Sequence, residues 1–178
     1  MGSGGGDDFG SGSGGFLLAS VIYTSRLDLL PLRVEYADET ARVLGDPSLH
    51  AFIGGEPEIP EGLRARYARL VAGAPEPNVS WLNWVVRLRG DGCLVGTVQA
   101  TVRHSPDRVL AEVAWVVGTS WQGHGIGREA GRGLVEWLVR QGVDQVVAHV
   151  HPDHHASAAV AASAGLRSTG RLHDGEIR

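Results

Sequence analysis

The sequence contains no lysine, and all sixteen of its basic residues are arginines. This absence excludes both a lysine Schiff base and the lysine-dependent phosphate loop of nucleotide hydrolases. The chain has a single cysteine, Cys93, so it cannot form an intramolecular disulfide of the kind that staples small secreted scaffolds. Twenty acidic residues outweigh the basic ones and give a formal net charge of -4, which argues against a nucleic-acid partner bound through bulk positive charge.

The sequence also lacks a long apolar run. Its longest early stretch, residues 16–22, is interrupted by Ser20 and falls far short of the ~20 residues that span a bilayer. Asp7 and Asp8 precede this stretch, where a signal peptide would carry positive charge. We therefore expect a cytoplasmic protein with no membrane partner. The absence of lysine beside abundant arginine, glycine and alanine is typical of a GC-rich bacterial genome.

Glycine, in contrast, is abundant, with 26 residues in a chain of 178. Eight of these glycines lie among the first fifteen residues, together with three serines. Such a segment has almost no side chain to pack, so we predict a flexible Gly/Ser-rich tail over residues 1–20. The remaining residues, 21–178, have an ordinary globular composition and a length that suits a single domain.

Hydrophobic periodicity predicts an α+β fold, with a mixed, mostly antiparallel central sheet flanked by helices. The Asp-Gly pair at 91–92 lies between two β-rich runs and indicates a hairpin, and a third run follows a short loop at 104–107. These three strands form an expected antiparallel meander, and a later valine-rich strand follows a helix as one parallel unit. The predicted strands cover 26–34, 81–88, 94–102, 109–117 and 143–150 with two short ones at the end, and the main predicted helices cover 37–44, 61–71, 125–140 and 155–164.

A glycine-rich loop follows the third strand of the meander. Gly123, Gly125 and Gly127 leave the backbone bare where the chain turns into a helix. Exposed N–H groups at a helix N-terminus form a site for phosphate, because the helix dipole favours negative charge there. Arg128 and Arg132 follow at i,i+4 spacing and can add charge-assisted contacts.

A dinucleotide site is one interpretation of this loop, because Gly125-x-Gly127-x-x-Ala130 matches the G-x-G-x-x-G/A fingerprint. That fingerprint belongs in a tight turn directly after a strand, within a repeated βαβ series. Here an antiparallel meander precedes the glycines, and several residues separate them from the strand. We therefore disfavour a nicotinamide cofactor.

The same loop, Gln122-x-x-Gly125-x-Gly127 after a strand that contains Glu112, resembles the acyl-CoA pyrophosphate loop of the GNAT superfamily of N-acetyltransferases. Residues 151–166 resemble the second cofactor motif of that family, and residues 24–29 resemble the opening strand of its ribosomal-protein-alanine acetyltransferase-like branch. The resemblance covers residues 23–178. It implies the acyl-CoA N-acyltransferase fold, acetyl-CoA as co-substrate, and direct transfer to a primary amine in a ternary complex.

The resemblance also implies a set of cofactor-binding residues. The backbone of Trp115, Val116 and Val117, around a bulge in the strand of Glu112, would hold the pantetheine arm and polarise the thioester carbonyl. The pyrophosphate would lie against the glycine-rich loop, and the second motif would complete the site. The remaining residues of this set are Gln122, Gly123, His124, Gly125, Ile126, Gly127, Arg128, His154 and Ser157.

Two positions depart from the family pattern. His154 stands where an asparagine usually begins the last helix, and Ala161 falls near the position of the tyrosine that protonates the leaving thiolate in many members. The general acid is therefore unassigned. A non-catalytic acyl-CoA-binding or sensing module stays open as an alternative function.

Glu112 and His149 are the two candidate general bases. Glu112 is a charged residue in an otherwise apolar strand, where some family members place a glutamate base; its alternative role is a solvated outward position. His149 lies on the next strand, and histidine in general titrates near neutral pH; its alternative role is structural. Histidines 149, 151, 154 and 155 match no metal-ligand spacing, so we expect no metal.

The acceptor site is the least defined part of the sequence. By resemblance, Glu56 and Glu58 lie in a loop that rims the acceptor pocket and could attract a cationic amine, although simple loop solvation also explains them. Trp81 and Asn83 share a strand face opposite Trp84, so one face packs the core and the other can line the substrate groove. The acceptor is left open among N-terminal peptides, aminoglycoside-like antibiotics, polyamines and small metabolites, as is a homodimer.

Overall fold

The computed structural model describes residues 16–173 and 176–178, so most of the predicted tail, residues 1–15, lies outside the described residues. The strands are β1 Ile22–Tyr23, β2 Leu27–Pro31, β3 Val79–Leu88, β4 Leu94–Ser105, β5 Arg108–Val117, β6 Gln145–Ala148, β7 Leu172–His173 and β8 Glu176–Ile177. The α-helices are α1 Ala37–Val43, α2 His50–Ile53, α3 Pro60–Ala72, α4 Ile126–Arg140 and α5 His155–Ser163.

Strands β1 to β6 form one sheet in sequence order. Successive strands pair antiparallel from β1 to β5, and β6 then pairs parallel to β5 after the chain crosses over through α4. Strands β7 and β8 form a separate hairpin, which reaches the main sheet through a bridge between Val150 and Ile177. The α+β class and the predicted antiparallel meander with one parallel unit are confirmed.

The main core lies between α4 and one face of the sheet. Leu134 and Leu138 of α4 are fully buried against strand residues such as Val98 and Val113. Trp84 of β3 and Trp137 of α4 meet edge to face, with ring centroids 5.3 Å apart at 76°. A second, smaller cluster forms around Ala37, Leu63 and Tyr67, where α1 and α3 pack together. The helices therefore divide into two groups.

Within the described residues no helix is both long and apolar enough to cross a membrane.

The N-terminal boundary of the packed domain lies earlier than predicted. Leu17 and Ala19 pack against the main core. Ser20 accepts hydrogen bonds from both tryptophans of the core, through its carbonyl oxygen from Trp84 Nε1 at 2.8 Å and through its hydroxyl from Trp137 Nε1 at 3.1 Å. Leu17, Ala19 and Ser20 thus contact the domain, and Ser20 satisfies buried indole donors that the residue types alone do not reveal.

Three predicted strands differ from the structure by more than two residues in total. The first strand ends at Pro31 instead of residue 34, since proline has no N–H to donate and the chain then enters a 3₁₀ turn at Val34–Tyr36. The predicted loop at 104–107 shrinks to two residues, because β4 continues to Ser105 and pairs with Arg108. The valine-rich strand is shorter than 143–150, as its pairing with β5 covers only Gln145–Ala148.

A buried carboxylate ties β2 to β3. The side chain of Asp28 is 6% exposed and accepts hydrogen bonds from Arg87 at 2.8 Å and from Arg89 at 2.8 Å. The hydrogen bond from Arg87 is the largest influence and, together with Arg89, holds the pKa of Asp28 below its usual value despite burial. Arg89 also donates to the carbonyl oxygens of Thr24, Ser25 and Leu27, so it fixes the turn between β1 and β2.

Candidate active site

A cavity of about 660 Å³ opens on the sheet face opposite α4. Thr97 and Gln99 of β4 line the cavity and alternate with Val98 and Ala100, which are buried in the main core; Val98 also reaches the cavity lining. The other wall comes from residues of α1, α3 and the loop before α3. The cavity therefore lies between the sheet and the second group of helices.

Strand β5 has an open edge at the cavity. Its parallel pairing with β6 ends at Val113↔Ala148, whereas β5 itself continues to Val117. Ala114, Trp115 and Val116 line the cavity beyond this point. The backbone groups on this edge can therefore pair with an extended ligand, as an additional strand would.

The predicted bulge in β5 is wrong. The register of β5 against β4 runs without a break from Gly96↔Val117 to Ser105↔Arg108, and the irregularity in the meander lies between β3 and β4 at Val86 and Arg87. The open edge at residues 114–117 arises instead because β6 is short. Gly96 contributes as well, since an added Cβ there would collide with the Val116 carbonyl oxygen and lie 3.1 Å from Val117 Cα.

Both candidate bases line this cavity. Glu112 is exposed on β5 between the buried residues Ala111 and Val113, so its carboxylate lies on the cavity face. His149 follows the last residue of β6 and is half-buried on the same cavity wall. The structure thus brings together two groups that lie 37 positions apart in sequence, by aligning Glu112 with Val147 in the parallel pair.

The first turn of α5 connects three of the predicted cofactor residues. Trp115 Nε1 donates to Ser157 Oγ at 2.8 Å, and the backbone N–H of Ser157 donates to His154 Nδ1 at 3.2 Å. His154 therefore caps α5 with a ring nitrogen, in the manner of the asparagine that it replaces. All three side chains line the cavity, next to the open edge of β5.

The glycine-rich loop lies beyond the end of β5. Gln122 Nε2 donates to the Val117 carbonyl oxygen at 3.1 Å and fixes the start of the loop. Gly123 and Gly125 have φ angles of 77° and 78°, and Gly125 is the N-cap residue of α4. Only glycine adopts this left-handed conformation without strain. The loop thus presents the first turn of a fifteen-residue helix with no side chain over Gly123.

Gly127 needs its small size for a different reason. Its backbone φ is ordinary, but an added Cβ would lie 3.1 Å from Val160 Cγ2 of α5. The same holds one turn later at Gly131, whose added Cβ would lie 2.9 Å from Val160 Cγ1. These glycines let α4 and α5 approach closely, which explains why the sequence tolerates their helix penalty.

These features fit the phosphates and the extended arm of acetyl-CoA. Free N–H groups at the α4 N-terminus suit a diphosphate. Arg128 and Arg132 are exposed and line a second cavity of about 540 Å³, together with Gly125 and Arg26. The open edge of β5 ends at Val117, whose carbonyl oxygen accepts from Gln122, so the edge and the loop adjoin.

Sequence reasoning missed the group that holds the loop in place. Glu129, in the first turn of α4, accepts hydrogen bonds from Thr24 Oγ1 at 2.6 Å, from the Arg26 N–H at 2.7 Å and from Arg26 Nε at 2.7 Å. Arg26 Nη1 also donates to the His124 carbonyl oxygen at 3.1 Å. The signal in the sequence was an acidic residue directly after the loop, but its partners lie about 100 positions away.

The acceptor side of the cavity has an acidic rim. Glu56 and Glu58 both line it, as predicted from the loop position, but Glu58 forms an ion pair with Arg66 at 2.7 Å. Asn83 lines the cavity, whereas Trp81 does not, although it lies on the same face of β3. Trp81 pairs with Thr101, two positions further from the open end of the sheet than the Asn83–Gln99 pair.

The lining residues without a role in the sequence-based prediction include His50, Tyr67 and Glu176. Burial raises the pKa of Tyr67, so its phenol is neutral at ordinary pH. Glu176 belongs to β8, and the hydrogen bonds between Val150 and Ile177, at 2.7 and 2.9 Å, hold this strand beside the residue that follows His149. No local pattern marks Glu176, because only the C-terminal hairpin brings it to the site.

Cys93 and the histidines carry no separate site. Partial burial raises the pKa of the Cys93 thiol, and the nearby negative charge of Asp91 raises it further. The thiolate that a nucleophile requires is therefore disfavoured. Within residues 16–173 and 176–178, no group of three His, Cys, Asp or Glu side chains is arranged to hold a metal ion.

The family of the chain follows from its sequence match. The family model of the acetyltransferase (GNAT) domain matches residues 26–167, which is well over half of the chain. The protein therefore belongs to the GNAT acetyltransferases. It is an acyltransferase of EC 2.3.1 type that uses acetyl-CoA as co-substrate, and these predictions are confirmed. A comparison with curated protein sequences finds no match.

Solved structures support the fold. RimJ of Mycobacterium smegmatis, in complex with CoA-disulfide, has a TM-score of 0.74 at 24% identity and covers 89% of this chain and 83% of its own. The ribosomal-protein-S5-alanine acetyltransferase of Vibrio fischeri has a TM-score of 0.69 at 21% identity, with 84% of each chain covered. The microcin C7 self immunity acetyltransferase MccE, in complex with acetyl-CoA and AMP, has a TM-score of 0.69 at 16% identity and covers 86% of this chain and 88% of its own.

Proposed function

We propose that this enzyme acetylates a primary amine that carries positive charge, and that the reaction takes place in the 660 Å³ cavity. The main observation behind this proposal is that one cavity contains the open edge of β5, both candidate bases and an acidic rim. Acetyl-CoA, when bound, supplies the activated acetyl thioester. The tasks left to the protein are to hold it, to orient the amine, to accept a proton and to assist the departing sulfur.

The loop and β5 divide the task of holding acetyl-CoA. The backbone N–H groups from Gly123 to Arg128 bind the diphosphate, with the dipole of α4 behind them. The backbone of Trp115 to Val117 pairs with the extended arm along the open edge of β5. An arm bound along this edge would lie close to Ser157, which lines the same cavity and accepts from Trp115 Nε1.

A base on the cavity wall prepares the amine. An ammonium group cannot attack a carbonyl carbon until it loses a proton, and Glu112 or His149, through an intervening water, accepts that proton. The transfer forms one N–C bond and breaks one C–S bond. The nitrogen loses two protons in all. The first goes to the base before the attack and from there to solvent, and the second, lost as the amide forms, is balanced by the proton that the sulfur takes up.

Ser157 is the group best placed to assist the sulfur in the absence of a tyrosine at Ala161. Its oxygen already accepts from Trp115 Nε1, so its own O–H is available to donate. A hydroxyl polarised by an N–H donor is also a better donor itself. This position supports the enzymatic function over a non-catalytic acyl-CoA-binding module.

The acidic rim supports a cationic acceptor. Glu56, Glu112 and Glu176 line the cavity. Arg66 forms its ion pair with Glu58 and not with Glu56, so it does not neutralise the charge of Glu56. Both a peptide N-terminus and a cationic small molecule meet this requirement. RimL, titled a ribosomal L7/L12 alpha-N-protein acetyltransferase, and MccE are fold neighbours with different titles, so fold alone does not select between them. The cytoplasmic location and the bacterial origin stay predictions from sequence.

Calorimetry and thiol release test this function together. We expect wild-type protein to bind acetyl-CoA saturably and to release CoA thiol with cationic amines but not with anionic analogues. Gly125→Asp should abolish binding, because it adds a side chain and a negative charge where the diphosphate lies. Gly142→Asp is the matched control: Gly142 also has a positive φ, 82°, but lies beyond the C-terminus of α4.

Two results would contradict the proposal. The loop assignment fails if Gly125→Asp and Gly142→Asp bind acetyl-CoA equally well. The acceptor assignment fails if neutral or anionic amines are acetylated as efficiently as cationic ones.

A further inference from the structure

The first turn of α4 is fastened to the turn between β1 and β2. The carboxylate of Glu129 accepts three hydrogen bonds from that turn, one from the Thr24 hydroxyl and two from Arg26. Thr24 is fixed in its turn by a hydrogen bond that its Oγ1 accepts from the Leu27 N–H at 3.1 Å. The carboxylate is therefore held by donors that are themselves immobilised.

Arg26 extends this connection to the glycine-rich loop. Its Nε pairs with Glu129, while its Nη1 donates to the carbonyl oxygen of His124, the residue directly before the N-cap Gly125. Its Nη2 lies 3.5 Å from the position that a Cβ on Gly125 would occupy. One guanidinium thus bridges the helix, the loop and the β1–β2 turn.

The loop needs such a support. Two of its residues adopt a left-handed conformation that glycine samples freely, so an unrestrained loop would lose considerable backbone entropy on binding a diphosphate. A loop that is already held before the ligand arrives avoids that cost.

The ion pair of Glu129 and Arg26 also reduces the repulsion between the Glu129 carboxylate and a bound diphosphate. A carboxylate in the first turn of α4 is close to the N–H groups that receive the diphosphate, and its charge opposes a bound anion. Arg26 compensates that charge at 2.7 Å. The side chain of Glu129 is 17% exposed, so solvent screens it only partly. Burial raises the pKa of Glu129, but the hydrogen bonds from Thr24 and Arg26 outweigh it and keep the net pKa low, so the charge is present at neutral pH.

We propose that Glu129 and Arg26 are positioning residues that preorganise the glycine-rich loop for the diphosphate of acetyl-CoA, with Arg26 also compensating the charge of the carboxylate that holds it. This inference rests on the proposed role of the loop. It assigns the pair no contact with the reacting atoms, so the pair governs the affinity for CoA and not the chemical step.

The two single substitutions have unequal expected effects. Glu129→Gln removes the charge and weakens the connection, so we expect the Kd of CoA to rise about tenfold. Arg26→Gln leaves a charged carboxylate without its partner beside the diphosphate, so we expect a larger rise, about a hundredfold. The double variant should bind CoA more tightly than Arg26→Gln alone, because the repelling charge is gone. A purely structural role would make the double variant the weakest.

The experiment combines calorimetry with CoA and hydrogen exchange of the protein without ligand. We expect faster exchange over residues 122–128 in both single variants, and an increase in the KM for acetyl-CoA with kcat nearly unchanged. Glu136→Gln is the matched control, since Glu136 is exposed on the same helix and lines the same second cavity two turns further on. Arg26→Lys keeps the charge and gives a second route to the answer if Arg26→Gln does not fold.

The outcomes separate this inference from the proposed function. If wild-type protein does not bind CoA, the role assigned to the loop is wrong. If it binds CoA but Glu129→Gln and Arg26→Gln match Glu136→Gln in Kd and loop exchange, the positioning role is wrong. A double variant weaker than both single variants would overturn the charge compensation.

Discussion

At the scale of single residues, the site divides into groups that the sequence could reveal and groups that it could not. Gly123, Gly125 and Gly127 form a contiguous motif, so their spacing predicted the loop and the helix start that the structure shows. Glu129 and Arg26 carry no such pattern, because their interaction joins positions 103 apart in sequence. The structure alone shows that one carboxylate collects three donors.

Residue identity also understated the role of His154. The sequence showed only a departure from the usual asparagine, whereas the structure shows that Nδ1 of the ring accepts the hydrogen bond that an asparagine oxygen would accept. The substitution therefore preserves the start of α5. That helix in turn places Ser157 against Trp115.

The choice between the two candidate bases is a prediction at this scale. Glu112→Gln should lower kcat by about two orders of magnitude or more if Glu112 accepts the proton, since general base catalysis typically contributes 10²–10⁴-fold. His149→Ala should then change kcat less, and the acidic limb of its pH–rate profile, where the base becomes protonated, should stay in place. The measurement is kcat against pH for wild type and both variants, with the Kd of acetyl-CoA as a control for intact binding.

The reverse pattern would assign the role to His149. Unchanged profiles in both variants would exclude both residues as the base.

At the scale of elements, the end of β5 determines how the site opens. The strand is paired on both sides as far as Val113, and beyond that point only β4 pairs with it. The sequence predicted the strand and its length, because the alternation of β5 is regular. It could not predict where β6 stops pairing, since the valines after residue 142 fit a longer strand equally well.

Gly96 is the element-scale test of this geometry. An added Cβ would collide with the Val116 carbonyl and approach Val117 Cα, both of them backbone atoms that cannot move without displacing the strand. We expect Gly96→Ala to destabilise the protein by roughly 1–3 kcal/mol, as overpacking commonly does. We also expect weaker binding of acetyl-CoA, because residues 115–117 shift. Urea denaturation and calorimetry measure the two effects.

Gly90→Ala provides the matched control. Gly90 lies in the turn between β3 and β4, six residues before Gly96, and its added Cβ meets no atom within 4 Å. If both alanine variants had the same stability and the same affinity for acetyl-CoA, the close approach of β4 and β5 at Gly96 would not support either property.

At the scale of the whole molecule, Leu17, Ala19 and Ser20 attach the chain before β1 to the core. The sequence placed the start of the domain at residue 21, because a glycine-rich stretch and a short apolar run resemble a linker. The structure places Ser20 between β3 and α4, where it satisfies two buried indole donors. Tertiary hydrogen bonds of this kind leave no trace in local composition.

Two truncations test this boundary. A chain that begins at residue 16 should unfold at nearly the same temperature as the full-length protein, since it removes only residues 1–15 of the predicted tail, which have almost no side chain to pack. A chain that begins at residue 21 should lose several kcal/mol, because each buried donor left unsatisfied costs about 1–3 kcal/mol. Thermal unfolding, monitored by circular dichroism, compares the two chains. Equal melting temperatures would mean that the domain begins at residue 21, as the sequence predicts.

The edge-to-face pair of Trp84 and Trp137 gives the molecule a built-in optical reporter. Two indoles held 5.3 Å apart at a fixed angle couple their electronic transitions, and this coupling contributes to the near-ultraviolet circular dichroism only while the sheet and α4 stay packed. Ser20 holds both rings through their N–H groups. Loosening of residues 17–20 would therefore alter the near-ultraviolet spectrum before the far-ultraviolet signal of the sheet changes, without any added label.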